Sequence, residues 1–520
     1  MKKFLIPSLI VAGLFAQNTN ADLQKQINKL EQELKALQQQ VKQNQEMAIE
    51  NTKKVNPLAA NTHLFFSLDL RSAYDYIRKE TTNGITYNVV PDFTNPGKFT
   101  VYPTGIQNDK QTHTGEVWSN RFIVTGVAKP SDNLKATIKL EMNKVFGPSN
   151  INQVGNPFQN FDWVNNETAD DNTVRIRSAW FNYFFGPDNG LMFSIGRRPS
   201  TEGFPANLKS EDNANHPLAH SVNMEFDGIS TDANSDALSH IWSKFGDWGT
   251  SILLCMGRGY SNTNGKWSLN SDEPDYTKAS DKANADFAGF MLTPYDDGQY
   301  SVKILSMWAW NLVGFKMTDL DNQTYSMIHT MSAQQLMQTM QNFGMTSMNA
   351  SMEVLGNYYA ADILLKADGI GDTDNDFLNN TVAFIDYAIS QTRPNSGERM
   401  LGSTDKKFGR SIWVGADMPG LNDNDRFGIS YVHGSKYWRN FSYGEDTLAG
   451  SIAAVRGNAW DVYYNHQIIP HLTAQLRFTY LDYSNPGSDG FFGDMGDPEF
   501  KAFSWVDKAT DIRAYIRYQF

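Results

Sequence analysis

Seven cations, Arg71, Arg121, Lys135, Lys139, Arg477, Arg513 and Arg517, occupy segments in which polar and apolar residues alternate. In an extended strand, such alternation puts each cation on a polar face and leaves the apolar residues on the other. Asp69, Asp75, Glu141 and Asp511 fall on the same polar faces. A separate polar stretch, residues 198–221, carries Glu202, Glu211 and Asp212 together with Arg198 and Lys209. No nucleophile motif accompanies them, so the chemistry they suggest is a field and not a reaction. A basic wall facing an acidic loop across a water-filled gap sorts solutes by charge, here with a mild preference for anions. The plainer alternative is a set of solvated charges near a rim.

The last ten residues describe the element that must carry such a wall. Ile512, Ala514, Ile516, Tyr518 and Phe520 share one strand face, opposite Asp511, Arg513, Tyr515, Arg517 and Gln519. Similar alternation runs from Leu64 to Tyr76, from Trp118 to Ala128, from Leu134 to Asn143 and from Leu472 to Tyr480. Segments of this length match the roughly 9–11 residues of a tilted membrane strand, one face towards lipid and one towards a polar interior. A soluble sandwich or propeller is the competing assignment.

The connections favour the membrane. Short turns at 129–133, 186–190, 293–299, 418–425 and 467–471 alternate with long polar loops. Those loops are 79–115, 146–173, 198–221, 257–285, 311–351, 392–407, 437–452 and 484–508. Strands running up and down between two different compartments produce such a rhythm. Keeping it makes 231–248 one extended turn rather than an extra strand, and 366–380 another. The fold expected is an all-β transmembrane barrel over 57–520 with about 16 antiparallel strands, 14–18 being the range.

The chain has 520 residues and is 13% aromatic, and beyond its N-terminus it holds no apolar run long enough for a helical span. Strand spans escape that test because half their residues are polar. The formal net charge of −12 argues against nucleic acid as a partner. Residues 1–21 have a basic start and a short apolar stretch, with Ala16 or Ala21 as cleavage point, the pattern of a signal peptide. Cys255 is the single cysteine, so no intrachain disulfide forms and no lipid-anchored cysteine follows the signal. In 22–56, Leu23, Ile27, Leu30, Leu34, Leu37 and Val41 take the a and d positions of a short coiled-coil helix. So short a helix is marginal alone. Self-association into a homo-oligomer is expected, with a helix lying on the barrel mouth as the alternative. Peptidoglycan is a further candidate partner for this periplasmic segment.

The run Arg177-Ser178-Ala179-Trp180-Phe181, a turn, then Phe193-Ser194-Ile195-Gly196-Arg197 resembles what general porins of Gram-negative bacteria carry before their third loop. A closer likeness is to a family of outer-membrane proteins from epsilon-class proteobacteria, carried as a domain of unknown function. It rests on residues 196–203, on His433-Gly434-Ser435-Lys436-Tyr437-Trp438, on Arg456-Gly457 and on the strand Leu476 to Tyr483. Gly203-Phe204-Pro205 departs from the Gly-Pro-Pro that this family would have there. The resemblance implies a passive outer-membrane porin for small hydrophilic solutes or ions, narrowed by loop 198–221 and trimeric. Ile516, Tyr518 and Phe520 resemble the terminal signal read by the barrel-assembly machinery. No cofactor is implied.

A structural or adhesive barrel tied to the cell wall through 22–56 is the alternative function. A barrel hydrolase would need converging Ser, His and acid or amide groups, and His466 and His471 have few obvious partners. Asp372, Asp374 and Asp376 have calcium-loop spacing but lack the turn Gly and the closing Glu. His216 and His220 have a helical metal spacing that Pro217 opposes, so no metal site is expected. Residues 325–345 suit a short amphipathic helix within a long loop.

Overall fold

Alternating apolar and polar residues have one favourable outcome in lipid, strands paired on both sides so that no backbone group is left at an edge. The computed structural model describes residues 63–520 except 93–96, 147–168, 170–171, 217, 262, 267–274, 279–283, 372–373, 423, 443–445 and 489. The signal and heptad segments lie outside the described residues, as does Asp372.

Sixteen antiparallel strands close into a barrel. The first six are β1 (Leu64–Thr81), β2 (Gln111–Ser131), β3 (Leu134–Val145), β4 (Arg175–Phe185), β5 (Leu191–Arg198) and β6 (Phe226–Ala233). The ring continues with β7 (Ser251–Tyr260), β8 (Ala285–Asp296), β9 (Tyr300–Met317), β10 (Met348–Asp368) and β11 (Val382–Pro394). It ends with β12 (Phe408–Pro419), β13 (Arg426–Gly434), β14 (Gly457–Ile469), β15 (Leu472–Tyr483) and β16 (Val506–Gln519). Pairing of β1 with β16 shuts the ring, in the register Leu70↔Tyr518 and Asp75↔Arg513. Phe520 completes the seam: its N–H donates to the Leu68 carbonyl and Leu68 N–H donates back, each at 2.9 Å.

The alternation of short and long connections is as expected. Region 231–248 adds no strand; after β6 it forms two five-residue helices, Ser235–Ser239 and Ser243–Asp247, the first capped by the Asn234 side chain. In the β9–β10 loop, α1 (Asn322–Ile328) and α2 (Ala333–Asn342) occupy the stretch expected to be helical. A Ser332–Gln335 capping box starts α2, and its Leu336 and Met340 are buried.

The outer surface is apolar. Ile138, Ile176, Leu254, Met256, Ile363, Leu365, Leu476, Ile512 and Ile516 are all exposed. At about 25 cal/mol per Å² such a belt is untenable in water and ordinary in hydrocarbon. Among the described residues no helix is long and apolar enough to cross a membrane.

The inner surface is divided. β1 to β4 and β14 to β16 turn charged side chains inwards, among them Arg71, Asp75, Arg121, Glu141, Arg177, Arg477 and Arg513, all buried. β6 to β12 contribute Phe226, Phe287, Leu305, Tyr358, Phe384 and Trp413 to an apolar cluster, completed by Phe204, Leu218, Phe441, Phe491 and Phe492 from three infolded loops.

At the long-loop end, a hairpin of Gly84–Pro91 and Lys98–Gln107 leaves β1 and reaches β10, where Lys98–Val101 pairs with Met348–Ser351. β1 and β10 lie nearly opposite in the ring, so the hairpin bridges the mouth. Its near end rests on the β15–β16 loop through Ile85 N–H to the Ala502 carbonyl (2.8 Å) and Ser504 N–H to the Ile85 carbonyl (2.9 Å). Gly84, at φ +154°, makes that approach possible, because a Cβ there would sit 2.6 Å from the Phe503 carbonyl carbon. Gly84→Ala should therefore loosen the hairpin at a cost of about 1–3 kcal/mol without opening the barrel. Protease cleavage within 82–110 should accelerate while the heat-modifiable gel shift of the barrel stays intact; unchanged cleavage refutes the bridge.

A candidate constriction inside the barrel

The loop after β5 begins at the Arg177 site. Arg177, on β4, is buried and holds Glu141 of β3 at 3.0 Å and Glu202 of the loop at 3.1 Å. Thr201 donates to Glu225 at 2.7 Å, tying the loop's two ends together. Burial opposes ionisation of Glu202, but Arg177, Lys139, Arg121 and Arg517 bring its carboxyl down to about 2. The root of the loop is thus fixed by a charge that stays on at neutral pH.

From there the chain crosses the lumen. Around its short helical turn Leu208–Ser210, the Lys209 carbonyl accepts from Asn465 of β14 at 3.1 Å and also from Gln475 of β15. Arg517 of β16 donates to the Ser210 carbonyl at 2.9 Å and to the Asp212 carboxylate at 2.8 Å. On the return leg Asn215 donates to Glu202 at 2.9 Å, and Lys139 reaches Asn215 at 3.4 Å. The loop then locks to the far wall. Ser221 gives Asp362 of β10 its N–H at 3.1 Å and its hydroxyl at 2.6 Å. His220 lies 2.8 Å from the Ser411 hydroxyl and 3.3 Å from Asp386. That Ser–His–Asp order has the look of a hydrolytic triad, but all three side chains are buried, and here they pin the loop.

A second loop, between β13 and β14, inserts Asp446 among three guanidiniums: Arg71, Arg121 at 3.4 Å and Arg513 at 2.9 Å. Despite burial, Arg513, Arg71 and Arg121 hold its carboxyl well below the usual carboxylate range. Asp69 bridges Arg121 at 3.0 Å and Arg517 at 2.7 Å. Arg513 also pairs with Asp75, and Arg477 with Asp461 at 2.6 Å.

Five of the seven wall cations expected from sequence, Arg71, Arg121, Arg477, Arg513 and Arg517, gather on one side in a mesh that covers them. The side chains of Arg71, Arg121, Arg477, Arg513 and Arg517 are only 4–7% exposed, against 25% for Glu202 and 24% for Asp212. Glu211, at the loop tip, is exposed. Glu202, Glu211 and Asp212 on the loop are thus more accessible than the guanidiniums of the wall. Lys135 lies beside the β2–β3 turn, apart from the mesh. Arg198, the last residue of β5, donates to Ser230 of β6 rather than facing the acidic tip. Lys209 serves through its backbone.

Asp446, Arg177, Glu225, Asp461, Asp362 and Asp386 were not singled out by sequence as constriction residues. Asp362 and Asp386 carried a usable signal, as carboxylates in the middle of membrane strands. Asp446 carried none. His216 and His220 diverge: His216 Nδ1 lies 2.6 Å from the Leu218 carbonyl, and burial pushes its ring down to about 4. Among the described residues no three or more His, Cys, Asp or Glu side chains are arranged to hold a metal ion. At the turn end, His466 pairs with Asp425 at 2.9 Å.

Residues 111–520 match the model of a family described as protein of unknown function, DUF3373. No curated protein matches the sequence. Among solved structures, the chain is similar to an anion-selective porin from Comamonas acidovorans, at 10% identity and a TM-score of 0.41, covering 88% of this chain and 100% of that one. It is also similar to OprB of Pseudomonas putida at high pH (11% identity, TM-score 0.42, 90% and 96% covered). A third is OmpF of Salmonella typhi in complex with daunomycin (13%, 0.39, 87% and 97%).

The anchors have a definite pH dependence. The folded carboxyl values of Glu202 and Asp446 lie below their unfolded ones, so their stabilisation is complete above about pH 4. It is lost as pH falls towards about 2 for Glu202. Limited proteolysis of loops 199–225 and 435–456 should be flat from neutral pH to about pH 5 and should rise steeply below about pH 4. Asp446→Ala, which strips one partner from a buried cluster, should cost about 3–5 kcal/mol and expose loop 435–456 to protease at neutral pH.

Proposed function

The chain belongs to the DUF3373 family, and we propose that it is a porin of the Gram-negative outer membrane, a passive channel for small hydrophilic solutes or ions. The observation that carries this reading is the loop 199–225, held at Arg177 and Arg517 on the charged wall and at Asp362 of β10 across the lumen. A segment so tethered narrows a passage without closing a reaction site, and polar groups line the side it faces. We infer that the passage prefers cations, because Glu202, Glu211 and Asp212 remain accessible while the guanidiniums are covered. In this reading residues 1–21 are the export signal, and 22–56 form a periplasmic coiled coil that makes the protein a homo-oligomer.

A non-conducting anchor is the second reading, favoured by the apolar packing that fills the β6–β12 side of the interior. Planar-bilayer recordings separate the two. A channel gives steady unitary steps and a reversal potential of cationic sign in a salt gradient. Glu211→Gln, which removes an exposed charge, should move that potential towards zero with little change in step size. Silence of the intact, folded protein would favour the anchor, and an anionic reversal potential would sink the cation preference.

A further inference from the structure

Beneath the mouth hairpin lies a cavity of about 190 Å³, outside the charged mesh. Six aromatic rings line it: Tyr87, Phe99, Phe315, Phe500, Phe503 and Trp505. Several already meet edge to face, with Tyr87–Phe503 centroids 5.2 Å apart, Phe500–Phe503 5.3 Å and Phe99–Phe315 4.6 Å. Two carboxylates border the space, and both are engaged elsewhere. Asp494 accepts from Arg399 at 2.9 and 2.7 Å and from Met317 N–H at 2.9 Å. Asp497 accepts from the Tyr325 hydroxyl and from Glu499 N–H, both at 2.8 Å.

With its carboxylates so occupied, the remaining wall is mostly apolar. A water molecule needs about two to four polar partners to be held, whereas dry cavities of about 150 Å³ accept a benzene-sized guest. A charged guest would lose its hydration without finding a counter-charge. The rings also continue inwards, through Phe315–Phe491 at 6.1 Å, Phe491–Phe492 at 6.0 Å and Phe492–Phe441 at 4.9 Å. Phe441–Phe287 at 5.6 Å then carries the run into the apolar side of the barrel.

We propose that this cavity binds small uncharged aromatic molecules of about one ring. The site goes beyond the ion passage, and its test is independent of conductance. The full-length protein in lipid nanodiscs would be titrated with 4-fluorotoluene and followed by ¹⁹F NMR, the lipid contribution appearing as a non-saturable background. The expected result is a saturable component that 4-fluorobenzoate lacks. Ala350→Phe fills the cavity from β10, and Val89→Trp fills it from the hairpin at a position exposed enough to leave the barrel folded. Val89→Trp, checked by heat-modifiable mobility, should weaken the saturable component at least about tenfold, and so should Ala350→Phe where it folds. Leu365→Trp, on the lipid face, should leave it unchanged. The proposal is overturned by absence of saturable binding to the wild type, by its persistence in folded Val89→Trp, or by equal binding of the benzoate.

Discussion

A peptide group left unpaired in hydrocarbon has no water to turn to, and the β1–β16 seam is what removes the last such groups from this barrel. The charges that β1 and β16 turn inwards follow from the register of that seam. A slip of one residue would turn Ile512 and Ile516 into the lumen and the arginines into lipid, so lipid contact excludes every odd shift from the observed value of the register. That value sets Asp75 opposite Arg513 and Arg71 opposite Arg517. The electrostatic mesh is thus a by-product of lipid contact, and Asp446 and Asp212 arrive from two loops to balance it.

The two sides of the interior obey different physics. Between β14 and β4, charges are tolerated because signs alternate: Asp69 lies between two arginines and Asp446 among three. Between β6 and β12, cohesion comes from interlocking rings that exclude water. Added salt acts on the accessible carboxylates at the loop tip, which lie within screening reach of solvent ions. It has little to act upon among the buried guanidiniums and nothing among the rings. One barrel therefore carries a wet, screenable side and a dry, shape-determined side.

The barrel was legible because a period of two is local. Ile512 to Phe520, Leu64 to Tyr76 and the rhythm of the turns required no long-range knowledge, and even 231–248 could be assigned by parity. The divided interior was not legible for the same reason. In β8 and β9, inward-facing Phe287, Leu305 and Met307 share their strands with outward-facing Phe290 and Trp308, so the alternation that marks a polar lumen is blurred. Loop positions were harder still. The constriction loop could be named by its order along the chain and its acidic residues, but partners such as Asp446 and Asp362 become visible only once distant strands are side by side. Arg198 looked like an opposing charge in the sequence, yet as the end of β5 its direction is set by the strand.

The mouth hairpin joins segments that lie far apart along the chain. Ser504 donates its hydroxyl to the Thr82 carbonyl across 422 positions of sequence, and Ile85 is held by Ala502 nearby. A growing or partly inserted chain has the hairpin but not its seat. The cover over the mouth is therefore a property of the finished protein alone. Until the final strand is in place the barrel is an uncovered vessel, and its last hairpin serves as its closing stitch.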